Sequence, residues 1–195
     1  MWIALFQAIL VICIIWLAVR ALSPEELDDV HPRIQDVDDP LVNRSKWLWV
    51  MPLYMNDPIS NHPEWVAQLK ATGKNLGLHG VEHTYDEFGH DLPEAYIKRG
   101  IDEFTKAFGY APRHFKAPKL SLTPNNAAII RKHGMVIKGM TNQMLRHVFH
   151  HWGNRMTDGS HRLPGEYYTQ GEKGSVPRDY SVFDGVNPYS ALQSP

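Results

Sequence analysis

Residues 75–88 read Asn-Leu-Gly-Leu-His-Gly-Val-Glu-His-Thr-Tyr-Asp-Glu-Phe. The first five, Asn75 to His79, have the length and apolar content of a short buried strand bounded by Gly73 and Gly80. His79 stands at the end of that strand, and Gly80 lets the backbone turn sharply just after it. His83 returns four residues later. On a helix such a pair would share one face. A strand end followed by a glycine turn could equally bring both imidazoles to one metal ion.

Working outward, strands and helices alternate. Pro63–Thr72 reads as a helix with proline in its first turn and Gly73 as its stop. Lys46–Met51, closed by Pro52, reads as the preceding strand, and a shorter strand is expected to end over Ile34–Val37, before the turn residues Asp38, Asp39 and Pro40. Downstream, Pro93–Phe108 is the clearest helix: Ile97, Ile101, Phe104 and Phe108 form an apolar stripe, and Gly109 ends it. Thr123–His133 is a second helix, with Thr123 as N-cap, Pro124 in the first position and Gly134 beyond the end; Met135–Gly139 follows as a strand. This order implies a parallel α/β architecture, whose sites lie at the C-terminal ends of strands. Asp36, Asp38 and Asp39 would lie at the end of the first strand. Two imidazoles and a carboxylate suit zinc or a similar divalent ion with open positions for water.

Composition narrows the function classes. The 195 residues suffice for one domain, and 20 Lys plus Arg against 21 Asp plus Glu give a formal net charge of −1. That balance offers no basic footprint for nucleic acid. The lone cysteine, Cys13, excludes an intramolecular disulfide and a cysteine-based zinc site. Trp2–Val19 is apolar except for Gln7 and uncharged until Arg20. Its 18 residues are near the minimum for a membrane-spanning helix. An uncleaved anchor, a cleaved signal peptide and a buried core helix compete for this segment, the anchor leading. The expected organisation is therefore a membrane segment over residues 1–22, contacting the bilayer through residues 2–19, an α/β domain over 23–154, and a loop-rich tail over 155–195. Tyr167, Tyr168 and Phe183 could wrap that tail onto the domain.

The motif Leu78-His79-Gly80-Val81-Glu82-His83, followed by Glu87-Phe88, resembles the second motif of the NodB-type polysaccharide deacetylases. It is most similar to an uncharacterised branch in which His-Gly-x-x-His is followed by Glu-Phe. Three other pieces occur in the expected order. Arg33-Ile34-Gln35-Asp36-Val37 resembles that branch's Arg-Ile-Asp-Asp-Val strand, and Val50-Met51-Pro52 the end of its second strand. Phe115-Lys116-Ala117-Pro118 resembles its third motif, preceded here by Phe108 to Pro112. The resemblance spans about residues 32–140. It implies a deformed or reduced (β/α) barrel behind the N-terminal hydrophobic helix, one divalent metal, with zinc expected, and an acetylated glycan as substrate.

Carried over residue by residue, the resemblance implies Asp36, His79 and His83 as metal ligands, His150 as general acid, and Lys116 and Pro118 beside the substrate. His161 is a second candidate for the acid. Gln35 stands where the family has its base aspartate, and glutamine cannot take a proton from water, so Asp38 is expected to serve as base. A shifted register, with Asp38 as base and Asp39 as ligand, remains open. Few residues separate Pro40 from Lys46, too few for the crossover a parallel strand pair requires. Two functions follow as alternatives: hydrolysis of an amide or ester on a glycan, or a catalytically inactive glycan-binding or scaffold protein. Trp47, Trp49, Trp65 and Trp152 would offer sugar-stacking platforms for the latter.

Overall fold

The computed structural model describes residues 2–150. Its elements, in order, are α1 (Trp2–Leu22), β1 (Glu25–Val30), α2 (Pro40–Arg44), β2 (Trp47–Val50), α3 (Pro63–Ala71), β3 (Asn75–His79), α4 (Glu94–Phe108), β4 (His114–Lys116), α5 (Pro124–Lys132), β5 (Val136–Lys138), α6 (Met140–Leu145) and β6 (His147–Phe149). The expected tail over 155–195, with Tyr167, Tyr168, Phe183, His161 and Trp152, lies outside the described residues.

All six strands join one parallel sheet in the order β5-β4-β3-β2-β1-β6. Chain connectivity requires this sheet to curl. β5 and β6 occupy opposite edges, which in a flat sheet would stand about 24 Å apart, five strand spacings of roughly 4.8 Å. The link between them consists mainly of the six-residue α6, which advances only about 9 Å. The result is an open half-barrel with helices outside, the reduced barrel anticipated from the sequence.

The helices follow their local signals. Thr123 caps α5 by accepting from the Asn126 amide, and Pro124 occupies the first turn. Gly109 adopts φ 80° and closes α4, whose buried face carries Tyr96, Ile97, Gly100, Ile101, Phe104 and Phe108. That face packs on the strand residues Leu48, Val50, Leu78 and Phe115, all without exposed surface, in one continuous core.

The first strand is the main correction. It runs from Glu25 to Val30, while Ile34–Val37, expected as strand, lies in the turns after it. The misreading has a physical cause. Four of the strand's six residues are acidic, a composition that disfavours strands in general, yet everything after Glu25 is buried. The earlier start also removes the difficulty with the crossover. Residues 31–46, including α2, now connect β1 to β2, the dozen or more residues such a link requires.

At the other end of the chain, α1 is apolar apart from Gln7 and Arg20, with mean hydropathy 2.7 and no residue buried. It meets the domain at α6: the Trp16 indole donates to the Met144 carbonyl at 3.1 Å, and Arg20 donates to the carbonyls of Gln143 and Met144.

Candidate metal centre

The register of β1 against β2 explains how two adjacent aspartates reach one site. Leu27 pairs with Leu48 and Val30 with Val50, so Asp28 and Asp29 together oppose the single residue Trp49. This is a β-bulge, and Asp29 takes it up with φ 63°. Regular alternation would send the two carboxylates to opposite faces. The bulge lets both serve the end of the sheet where β3 delivers His79.

Asp29, His79 and His83 converge there. Among the described residues, they form the group of three possible ligands whose donor atoms all lie within 4.8 Å of one another. Asp29 Oδ1 stands 3.2 Å from His79 Nε2 and 2.8 Å from His83 Nε2, with all three side chains buried. Donor atoms about 2.0–2.2 Å from a four-coordinate ion are roughly 3.3 Å apart, so the spacing suits a small divalent cation. The protonation of His79 agrees. Its Nδ1 lies 2.9 Å from the Lys116 carbonyl, which can only accept, so Nδ1 carries a hydrogen and Nε2 is the nitrogen directed at the Asp29 carboxylate.

The electrostatics favour an ionised Asp29. Burial opposes its charge, but the charge of His83 and hydrogen bonds from His150, His79 and His83 outweigh burial and hold the carboxyl well below the usual range. His150 Nδ1 lies 3.1 Å from Asp29 Oδ2. Burial would lower the His150 pKa, but that hydrogen bond and the charges of Asp28 and Asp29 raise it instead.

Asp28 is held from the other side. Its Oδ1 accepts from Lys116 Nζ at 2.8 Å, and both side chains are almost fully buried. The Lys116 ammonium also lies 3.9 Å from Glu26 Oε2, which accepts from the Trp49 indole at 2.8 Å and from Asn142 at 3.0 Å. These polar groups are partnered, as buried charges must be. Above them opens a cleft of about 200 Å³ lined by Asp28, Asp29, His79, His83, Ala117, Lys119, Leu120, Gln143 and His150. A larger hollow, about 620 Å³, lies at the opposite ends of the strands around Trp47, Asn75 and His114; no carboxylate lines it.

The sequence-derived candidates separate cleanly. His79, His83 and His150 come together. Asp36 does not belong to the cluster; it is exposed on the loop after β1, and its place beside the histidines is taken by Asp29. Asp38 is exposed on the same loop, with its carbonyl accepting from Asn43, and Asp39 caps α2 by accepting from the Leu41 amide at 2.7 Å. Gln35 is buried away from the cleft lining: its side chain accepts from the His31 amide and its carbonyl from the Trp65 indole. Lys116 is 1% exposed and meets Asp28, and it is not among the residues that line the cleft. Pro118 is buried against Gly80. Of the tryptophans, Trp47 and Trp49 stack on each other at 5.6 Å, with Trp49 fully buried. Asp28 and Asp29 were legible as an intact Asp-Asp-Val sequence, but their acidic surroundings read as a polar flank of the apolar helix.

Residues 49–137 match the polysaccharide deacetylase family. Among curated proteins, none matches the chain. The fold is similar to the chitin deacetylase from the fungal pathogen Colletotrichum lindemuthianum, at 20% identity over 59% of this chain and 53% of that one, with a TM-score of 0.46. It is also similar to a family 4 carbohydrate esterase from Streptomyces lividans, at 15% identity over 59% and 60% with a TM-score of 0.44. A third similar structure is the peptidoglycan deacetylase PdaC from Bacillus subtilis, at 17% identity over 60% and 56% with a TM-score of 0.44. The chain spans about half the length of these structures. The matched residues 49–137 carry β3, the histidine pair and the helices behind them, so the similarity to polysaccharide deacetylases covers the part of the chain that holds both imidazoles.

Proposed function

We propose that this chain is a metal-dependent hydrolase that removes an acetyl group, as amide or ester, from a glycan, with Asp29, His79 and His83 as the metal ligands. The observation that carries the reading is the buried Asp29–His79–His83 cluster with a second carboxylate, Asp28, on the adjacent residue. The family of residues 49–137 supports the substrate class.

A divalent ion held by these three residues would acidify water and polarise the acetyl carbonyl. Asp28 is the group placed to accept the proton of the attacking water. Lys116 donates to its carboxylate at 2.8 Å and so orients it. His150 lines the same cleft, held by Asp29 at Nδ1, and is the group placed to give a proton to the departing amine or alcohol. Its raised pKa favours the protonated form that a general acid needs. The inactive-scaffold alternative drew on Gln35 and on the shortened barrel. With Asp28 and Asp29 in the bulge, an acid pair is available without Gln35.

The test is metal content and acetate release from chito- and peptidoglycan oligosaccharides, using the full chain in detergent. One equivalent of zinc or a similar ion, lost together with turnover in His79→Ala, is the expected result. Undiminished acetate release by His79→Ala would overturn the proposal.

A further inference from the structure

The loop carrying His83 is conformationally costly. His83 has φ 58° and Asp86 φ 54°, left-handed values that a residue with a Cβ adopts only under constraint. Something must hold residues 80–84 in place, because a ligand swinging by about 1 Å would spoil a metal site. The side chain that reaches this loop from below is Glu87, which has no exposed surface. Its Oε2 accepts from the Val81 amide at 3.1 Å, and its Oε1 from the Glu82 amide at 2.7 Å and the Tyr96 hydroxyl at 2.6 Å. Tyr96, also fully buried, sits on the first turn of α4. The carboxylate thus ties the backbone immediately before His83 to the core-facing side of a helix.

Gly80 supplies an independent observation. A Cβ at this position would stand 2.3 Å from Glu87 Oε2 and 2.8 Å from Pro118 Cγ. The carboxylate therefore occupies space that exists because residue 80 has no side chain. Burial pushes the Glu87 carboxyl up, while the Tyr96 hydroxyl and the two backbone amides oppose that shift. All three groups are donors, so an acceptor on both oxygens is what the loop requires.

We infer that Glu87 is a positioning residue for the metal site: it fixes the 80–84 loop through the Val81 and Glu82 amides and so sets where His83 presents its imidazole. This rests on the metal reading proposed above. Glutamine at this position keeps the volume but turns an amide NH2 toward a backbone N–H, whichever way it is placed, and leaves one donor unpaired.

The experiment is cobalt(II) binding to the full chain in detergent, followed by visible absorption and titration, for the native protein and for Glu87→Gln, Tyr96→Phe and Ile130→Ala. Glu87→Gln is expected to weaken cobalt binding about 10- to 100-fold, the range for residues that orient ligands, and to change the visible band. Tyr96→Phe removes one donor of three and should give a smaller change in the same direction. Ile130→Ala cuts a buried side chain on α5 and serves as the stability control, lowering the melting temperature with native affinity and spectrum. Native cobalt affinity and spectrum in Glu87→Gln would overturn the inference. Should that variant not fold, the same native behaviour in Tyr96→Phe overturns it. A native protein that binds no cobalt overturns the metal reading itself, a result distinct from either.

Discussion

Asp28 and Asp29 are neighbours with different surroundings, and the difference assigns them different work. Asp29 faces three imidazoles, those of His79, His83 and His150, whereas Asp28 is held by an ammonium. Asp29→Asn should therefore abolish metal binding, while Asp28→Asn should retain the metal and lose turnover by about 10²- to 10⁴-fold, the usual contribution of a general base. Asp36→Asn and Asp38→Asn should leave both metal content and acetate release unchanged. Metal analysis and acetate assays on the four variants check this set. A second residue-scale expectation concerns His31, just past the bulge. Burial pushes its pKa from 6.5 to about 3, and its ring is pinned between the Arg33 amide and the Asp57 carbonyl. Below pH about 6.5 the unfolded chain takes up a proton that the folded one refuses, so stability falls as pH drops toward about 3. One such proton gives a slope of about 1.4 kcal/mol per pH unit. His31→Gln should flatten the pH dependence of urea denaturation over this range relative to the native chain.

Among elements, β2 and β3 show how narrowly the half-barrel is fitted. Trp49 pairs with Gly77 across the two strands, and a Cβ at position 77 would come within 2.3 Å of the Trp49 ring. Trp49 cannot yield easily, since its indole is bonded to Glu26 and its face lies 5.7 Å from the Lys116 ammonium. Gly77→Ala should therefore destabilise the fold by about 1–3 kcal/mol, as overpacking does, measured by urea denaturation. The bulge in β1 illustrates the opposite use of an irregularity. It costs a left-handed aspartate and gains two carboxylates at one sheet end.

Taken as a whole, the molecule joins a half-barrel to an apolar helix that meets it at α6 and has no buried residue. Met140, Met144 and Leu145 of α6, which contacts that helix, are themselves 62%, 54% and 38% exposed. We expect α1 to embed in a bilayer and the full chain to remain with vesicles through alkaline carbonate washing. Replacing Leu10 and Ile14 with aspartate should release it into the supernatant, because charges at the centre of such a helix each cost about 2.5–3.5 kcal/mol on insertion.

While the short α2 and α6 gave no such signal, the sequence by itself determined α3, α4, α5, β2, β3 and the histidine pair. Their signals are local: caps, terminal glycines, an apolar stripe on α4, and a strand-end His-Gly turn all lie within a few residues of what they specify. It also carried the family, through motifs spaced along the chain. Tertiary structure alone decided which carboxylate joins His79 and His83. A buried acidic strand has the composition of a solvated flank, and it becomes a strand because β2 and β6 pair with it on both sides and because Lys116, Trp49 and Asn142 arrive from distant positions to satisfy its carboxylates. Those partners lie 23 to 116 residues away in sequence, beyond the reach of any local pattern.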